Sequence, residues 1–143
     1  MQDFMRDWFR WFAEGMEEMD PAACEKFFRR CGSECCETAP IHRFRAHFEA
    51  ADGDLDAFFA RLQEMPGVKG LVVKPGRTYE IAFGECLCDL YTLGYVVSDV
   101  ICECSRASVL HVMETLAPKR PCRVEKLHTI LGGADECRFR INF

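Results

Sequence analysis

Hydrophobic residues recur at helical spacing through the first part of the chain. The first segment places six large hydrophobic side chains on one side of a helix: Phe4, Met5, Trp8, Phe9, Phe12 and Met16. Asp20 followed by Pro21 provides an N-cap and a proline at the first helical position, which predicts a second helix. Further helices are predicted over residues 41–48 and 55–65. Residues 1–66 are therefore expected to be mainly helical.

The hydrophobic period then changes to that of strands. Residues 71–73 and 79–83 flank Pro75-Gly76, which fits a type II turn because proline presets the first central residue and glycine accepts a positive φ at the second. A helix is expected after this hairpin, with Ser105 as its N-cap. The middle of the chain therefore predicts a hairpin followed by a helix.

A second hairpin is predicted from residues 124–131 and 136–143, which a pair of glycines separates. In its last strand alternate residues are expected to point inward: Cys137, Phe139, Ile141 and Phe143. The sequence thus predicts one α+β domain, residues 1–143, with N-terminal helices and an antiparallel sheet of two hairpins separated by a helix. The sheet and its helix occupy residues 67–143.

Composition narrows the class of protein. The chain has 143 residues, 49% of them hydrophobic, and can bury a core without disulfides. Its N-terminus mixes acids and bases with aromatic residues and lacks the pattern of a signal peptide, so we expect a cytoplasmic protein with reduced cysteines. The net charge of −5 and the absence of long basic runs argue against a nucleic-acid partner. No apolar stretch is long enough to span a bilayer, so no membrane partner is expected.

Ten cysteines are present, and six of them form close pairs in the sequence: Cys31 with Cys35, Cys86 with Cys88, and Cys102 with Cys104. Alternate residues of a strand lie about 6.6 Å apart, whereas two sulfurs on one zinc ion lie within about 4 Å. A Cys-x-Cys pair therefore needs a bend to chelate a metal. Both such pairs are expected at the ends of elements, so Cys86, Cys88, Cys102 and Cys104 are predicted metal ligands. Cys31 and Cys35, one helical turn apart, are predicted to join them or to hold a second site. The predicted cofactor is zinc, with an iron–sulfur cluster as the alternative.

Other roles for the cysteines stay open at this point. They could carry out redox or nucleophilic chemistry, or pack as small hydrophobic side chains, which is the expectation for Cys24, Cys36, Cys122 and Cys137. Carboxylates next to thiolates could act as general bases. The candidate catalytic residues are accordingly Cys86, Cys104 and Glu103.

The motifs of the C-terminal half resemble a known bacterial family. These are Cys86-x-Cys88, Cys102-Glu-Cys104-Ser105 and the run Thr129-Ile-Leu-Gly-Gly-Ala-Asp-Glu-Cys137-Arg-Phe-Arg-Ile141. They resemble the family named for L-2-amino-thiazoline-4-carboxylic acid hydrolase and, more distantly, the 4-vinyl reductase domain. The resemblance covers residues 70–143 and adds the upstream motif of Cys31 and Cys35. It implies an α+β domain with a pocket for a small molecule, whereas the doubled Cys-x-Cys departs from the hydrolase pattern and favours a metal site.

Two main functions follow as expectations. As a hydrolase, the protein would open a cyclic C=N bond with a zinc-bound water or a cysteine nucleophile. As a non-enzymatic ligand or redox sensor, it would hold a closed four-thiolate zinc or iron–sulfur site. A third possibility is an interaction domain that forms a homodimer through its aromatic first helix.

Overall fold

The structure, a computed structural model, describes residues 3–143 and confirms the predicted α+β domain. Its helices are α1 (Phe4–Glu17), α2 (Pro21–Thr38), α3 (Pro40–Ala50), α4 (Leu55–Ala60), α5 (Asp89–Thr92) and α6 (Cys102–Leu116), with 3₁₀ turns at Leu62–Glu64 and Asp99–Ile101. Its strands are β1 (Val68–Lys74), β2 (Thr78–Phe83), β3 (Arg123–His128) and β4 (Cys137–Asn142). Met1 and Gln2, which belong to the segment predicted not to be a signal peptide, lie outside the described residues. None of the helices described is both long and apolar enough to cross a membrane.

Short polar residues begin several helices as their chemistry predicts. The Asp20 carboxylate accepts the N–H of Ala23 at the start of α2, and Asp54 does the same for α4. The prediction that Ser105 caps the next helix is wrong, because α6 begins at Cys102. The 3₁₀ turn before it runs directly into α6, so Ser105 lies inside the helix.

The four strands form one antiparallel sheet in the order β1-β2-β4-β3. Both predicted hairpins are present, and β2 joins them by pairing with β4, where Tyr79 lies opposite Ile141. Gly76 has a φ of +74°, as the turn between β1 and β2 requires. The predicted strand at 124–131 is shorter than expected and ends at His128.

The helices cover one face of the sheet and bury its alternate residues. Phe59 of α4 stacks on Tyr79 of β2 with 4.4 Å between ring centroids, and the Tyr79 hydroxyl donates to Asp56 at 2.6 Å. Gly70 lets β1 lie close to α4, because a Cβ there would be 2.1 Å from the Phe59 carbonyl oxygen. The inward positions predicted for β4 are confirmed at Phe139 and Ile141, which are fully buried.

The opposite face of the sheet carries a charged network. Glu80 is only 6% exposed, and its two carboxylate oxygens accept hydrogen bonds from Arg138 at 2.8 Å and from Arg140 at 2.7 Å. Burial alone would raise the pKa of Glu80, but the hydrogen bonds and charges of Arg140 and Arg138 together lower it. Glu80 therefore stabilises the fold in its charged form.

Replacing Glu80 by glutamine is expected to lower the free energy of unfolding by about 1 to 3 kcal/mol at neutral pH, because two arginines lose their shared counter-charge. Since the native pKa lies below the ordinary 4.5, this contribution is present above that pH and is lost as the pH falls. In urea unfolding, the wild-type protein and the Glu80→Gln variant should therefore differ in stability at neutral pH and agree at about pH 3. The control is Glu125→Gln, because Glu125 is an exposed acid on β3. An equal loss of stability in both variants would contradict the role of Glu80.

Candidate functional site

The predicted cysteine ligands lie on three segments of the structure, and all ten cysteines are free thiols. Cys31 and Cys35 are exposed on α2, one helical turn apart. Cys86 and Cys88 follow β2, as predicted, in the segment that leads to α5. The other pair lies in the first turn of α6 instead of before the helix.

The crossing of α2 and α6 brings thiols from both helices together. Gly32 lies at this crossing, where a Cβ would be 2.5 Å from the Cys104 carbonyl oxygen, and Ser108 donates to the Gly32 carbonyl at 2.7 Å. Burial, and then the nearby thiols of Cys35 and Cys31, together raise the pKa of Cys104 to about 12. Cys31, Cys35, Cys88 and Cys104 therefore form one group of neighbouring thiols, which we call the α2–α6 thiol group.

Cys102 is a neighbour of Cys104 but also has thiol neighbours of its own, Cys137 and Cys86. Residues two apart on a helix do not face the same way, so Cys102 and Cys104 diverge. The pKa of Cys102 is raised to about 11, mainly by burial and also by the thiols of Cys137 and Cys86, against the lowering effect of a hydrogen bond with Thr129. Cys137, whose sulfur accepts the Ile130 N–H at 3.3 Å, was expected to be a packing residue. Its inward position on β4 was the signal that it shares the interior with Cys102.

The metal-binding function predicted from the cysteine pairs is wrong. Within residues 3–143, no group of three or more cysteine, histidine, aspartate or glutamate side chains could hold a metal ion. The physical reason is the early start of α6, which turns Cys102 and Cys104 to different neighbours instead of to one shared centre. The choice of zinc or an iron–sulfur cluster as cofactor is untested and stays a prediction.

Glu103 lies between two cations. Its carboxylate accepts from Arg106 at 2.8 Å and lies 3.4 Å from the Lys126 ammonium. Arg106 is 8% exposed and also donates to the Val124 carbonyl at 3.3 Å. Glu103 thus ties α6 to β3, while the catalytic roles suggested for Glu103, Cys86 and Cys104 stay predictions.

The first helix presents most of its aromatic side chains to solvent. Its inner side packs through Phe9, whose ring lies 5.6 Å from that of Tyr95, and through Ala13, which is buried with Val96. Its outer side and the adjoining turn of α2 form an exposed or half-exposed surface that we call the aromatic face: Phe4, Met5, Trp8, Trp11, Phe12 and Phe27. The predicted amphipathic helix is therefore present, with its larger apolar side uncovered.

Ring contacts make the aromatic face continuous from α1 to α2. Trp8 stacks on Phe12 with 5.6 Å between centroids, and Phe12 lies 6.2 Å from Phe27. Phe27, Cys31 and Cys35 follow one another at intervals of four residues, so all three lie along one exposed side of α2. The α2–α6 thiol group thus borders the aromatic face.

Comparisons with known proteins correct the predicted family. No family model matches the chain, and no curated protein matches it. A solved structure that is similar is the crystal structure of a trafficking protein particle complex subunit 3 from Naegleria fowleri, covalently bound to palmitic acid, with 16% identity and a TM-score of 0.46. The alignment covers 96% of this chain and 92% of that chain. Because no family model matches the chain, the predicted membership of the L-2-amino-thiazoline-4-carboxylic acid hydrolase family, and the hydrolase function that it implied, are wrong.

Proposed function

We propose that the protein is an assembly domain that pairs with a second copy of itself through the aromatic face. The row of exposed rings on α1 carries this proposal. Phe4 is 64% exposed and Trp11 is 51% exposed, and they lie beside the stacked rings of Trp8 and Phe12. A contiguous apolar patch of this kind on a folded domain marks a surface that another molecule covers, and tryptophan is the side chain most enriched in interface hot spots.

Gly15 supports close approach of another surface at this point. At 100° per residue, Gly15 falls between Phe4 and Trp8 on the outer side of α1. Glycine inside a helix costs about 1 kcal/mol relative to alanine, yet a Cβ at Gly15 would meet nothing within 4 Å in the subunit. The subunit itself therefore gives no reason for glycine here, whereas a partner helix packed against this point does.

A second copy supplies a matching apolar surface. An interface around a two-fold axis uses the same patch on both subunits, so two aromatic faces can cover each other. At 100° per residue, Arg6, Arg10 and Glu17 fall on the other side of α1 from Phe4 and Trp8, and they leave this patch apolar.

Replacing Trp11 by glutamate is expected to weaken self-association by at least about thirtyfold, the effect of losing one hot spot of about 2 kcal/mol. The rings of Trp8, Phe9 and Phe12 contact one another, but within residues 3–143 no ring contact involves Trp11, so the fold should be kept. Sedimentation equilibrium measures the association, and circular dichroism checks the fold.

Val73→Glu is the matched control, because Val73 is 41% exposed but lies on β1 away from α1. The wild-type protein and the Val73→Glu variant should sediment as dimers, and the Trp11→Glu variant as a monomer. A monomeric wild-type protein, or a dimer that Trp11→Glu leaves unchanged, would rule out pairing through the aromatic face.

A further inference from the structure

Strand β3 is an edge of the sheet, and the backbone groups of its alternate residues point away from β4. The Phe143 N–H bonds to the Arg77 carbonyl on the β2 side, so alternate residues of β4, including Ile141, direct their backbone groups toward β2. Val124, opposite Ile141, and Lys126 therefore direct their N–H and C=O groups away from β4. The hydrogen bond from Arg106 to the Val124 carbonyl fits this direction.

A groove runs along this free edge between β3 and α2. It has a volume of about 840 Å³, and residues 123–126 of β3 line it together with the preceding Cys122. A smaller cavity of about 220 Å³ continues along the same strand to Thr129. Cys24 of α2 and Leu110 of α6 provide apolar floor beneath the edge. The groove is therefore long and open enough for an extended chain beside β3.

The charges of the groove favour a basic chain. Six carboxylates and four cations line it. Three of the four cations already have acidic partners in the subunit: Arg29 pairs with Glu114, and Arg106 and Lys126 both pair with Glu103. Glu125, by contrast, accepts only an amide hydrogen bond from Asn142 among the described residues.

We propose that the free edge of β3 binds a basic peptide in extended conformation, which adds to the sheet as a further strand. The N–H groups of Val124 and Lys126 and the carbonyl of Lys126 supply the hydrogen bonds, as in other cases of β-strand addition. Alternate apolar side chains of the peptide face Cys24 and Leu110, and its basic side chains lie opposite Glu125.

A fluorescent peptide of alternating lysine and valine, about six residues long, is the probe, because this length spans an ordinary strand. Anisotropy measures its affinity for the full chain, and nuclear magnetic resonance measures the exchange of the Val124 amide. Lys126→Pro removes one free N–H without breaking a bond to β4, since proline is tolerated on an edge strand. Lys126→Ala is the matched control, because it removes the same side chain and keeps the N–H.

Lys126→Pro is expected to weaken binding at least about fivefold relative to Lys126→Ala, the cost of one lost hydrogen bond. The Val124 amide should exchange more slowly when the wild-type protein is saturated with the peptide. Equal affinity of the two variants, or equal binding of a peptide methylated at its backbone nitrogens, would overturn strand addition. Failure of the wild-type protein to bind the peptide would overturn the proposal as well.

Discussion

Replacing Gly32 by alanine is expected to lower the free energy of unfolding by about 3 kcal/mol or more, a large share of the stability of an ordinary domain. The new Cβ would lie 2.5 Å from the Cys104 carbonyl oxygen, 2.6 Å from the Ala107 Cβ and 2.9 Å from the Ser108 nitrogen. Two of these atoms belong to the backbone of α6, which cannot move aside as a flexible side chain can. The helices must separate, and the hydrogen bond from Ser108 to the Gly32 carbonyl must lengthen. Urea unfolding monitored by circular dichroism measures the loss.

Gly15→Ala is the matched control, since the same methyl group is added to a helix where nothing lies within 4 Å. In the Trp11→Glu background, where no second copy covers α1, this change should stabilise the subunit by about 1 kcal/mol through helix propensity. Similar unfolding midpoints for Gly32→Ala and the wild-type protein would contradict the close crossing of α2 and α6.

Local chemistry made much of the fold predictable. Asp20 and Pro21 determine where α2 starts, and Gly76 supplies the positive φ that the turn between β1 and β2 needs. Alternation in β4 identified its buried positions. The start of α6 was predicted wrongly, because Ser98 is the earlier cap: it accepts the Val100 N–H and begins a 3₁₀ turn that continues into the helix. Serine is a favoured capping residue, but Ser105 lies inside α6, which the turn capped by Ser98 had already started.

The arrangement of the cysteines depends on contacts between distant segments. Spacing places Cys102 two residues from Cys104, but only the helical conformation decides that their sulfurs diverge. Cys104 instead lies near Cys35 because α2 and α6 cross at Gly32. A glycine on the buried side of a helix was a readable sign of such a close crossing.

The aromatic face was predicted only in part. The hydrophobic stripe of α1 included Phe9, which packs inward against Tyr95, and omitted Trp11, which is among the most exposed large side chains. A wide apolar stripe does not show which of its sides the rest of the domain covers. Which side of α1 is covered depends on where residues 95–101 lie, and this segment has no strong hydrophobic periodicity from which its position could be predicted.

Raising the pH from about 8 to about 10.5 is expected to lower the free energy of unfolding by at least about 2 kcal/mol. Burial raises the pKa of Cys104 to about 12 and those of Cys36, Cys102 and Cys122 to about 11. In the unfolded chain these thiols ionise near 9.0. Above that pH the native state holds more protons than the unfolded state, so the stabilisation is complete below pH 9 and declines as the pH rises toward 11 to 12.

Urea unfolding with a reductant present measures this loss, because the reductant keeps the cysteines as thiols at both pH values. Cys104→Ala is the informative variant, since it removes the thiol whose pKa is raised most. Its stability at about pH 8 should be lower than that of the wild-type protein, because the smaller side chain leaves space at the crossing of α2 and α6. Its further loss on going to about pH 10.5 should be smaller, because one fewer thiol has to ionise. Equal pH dependence of the two proteins would show that Cys104 ionises in the folded domain as it does in the unfolded chain, and would contradict its burial beside α2.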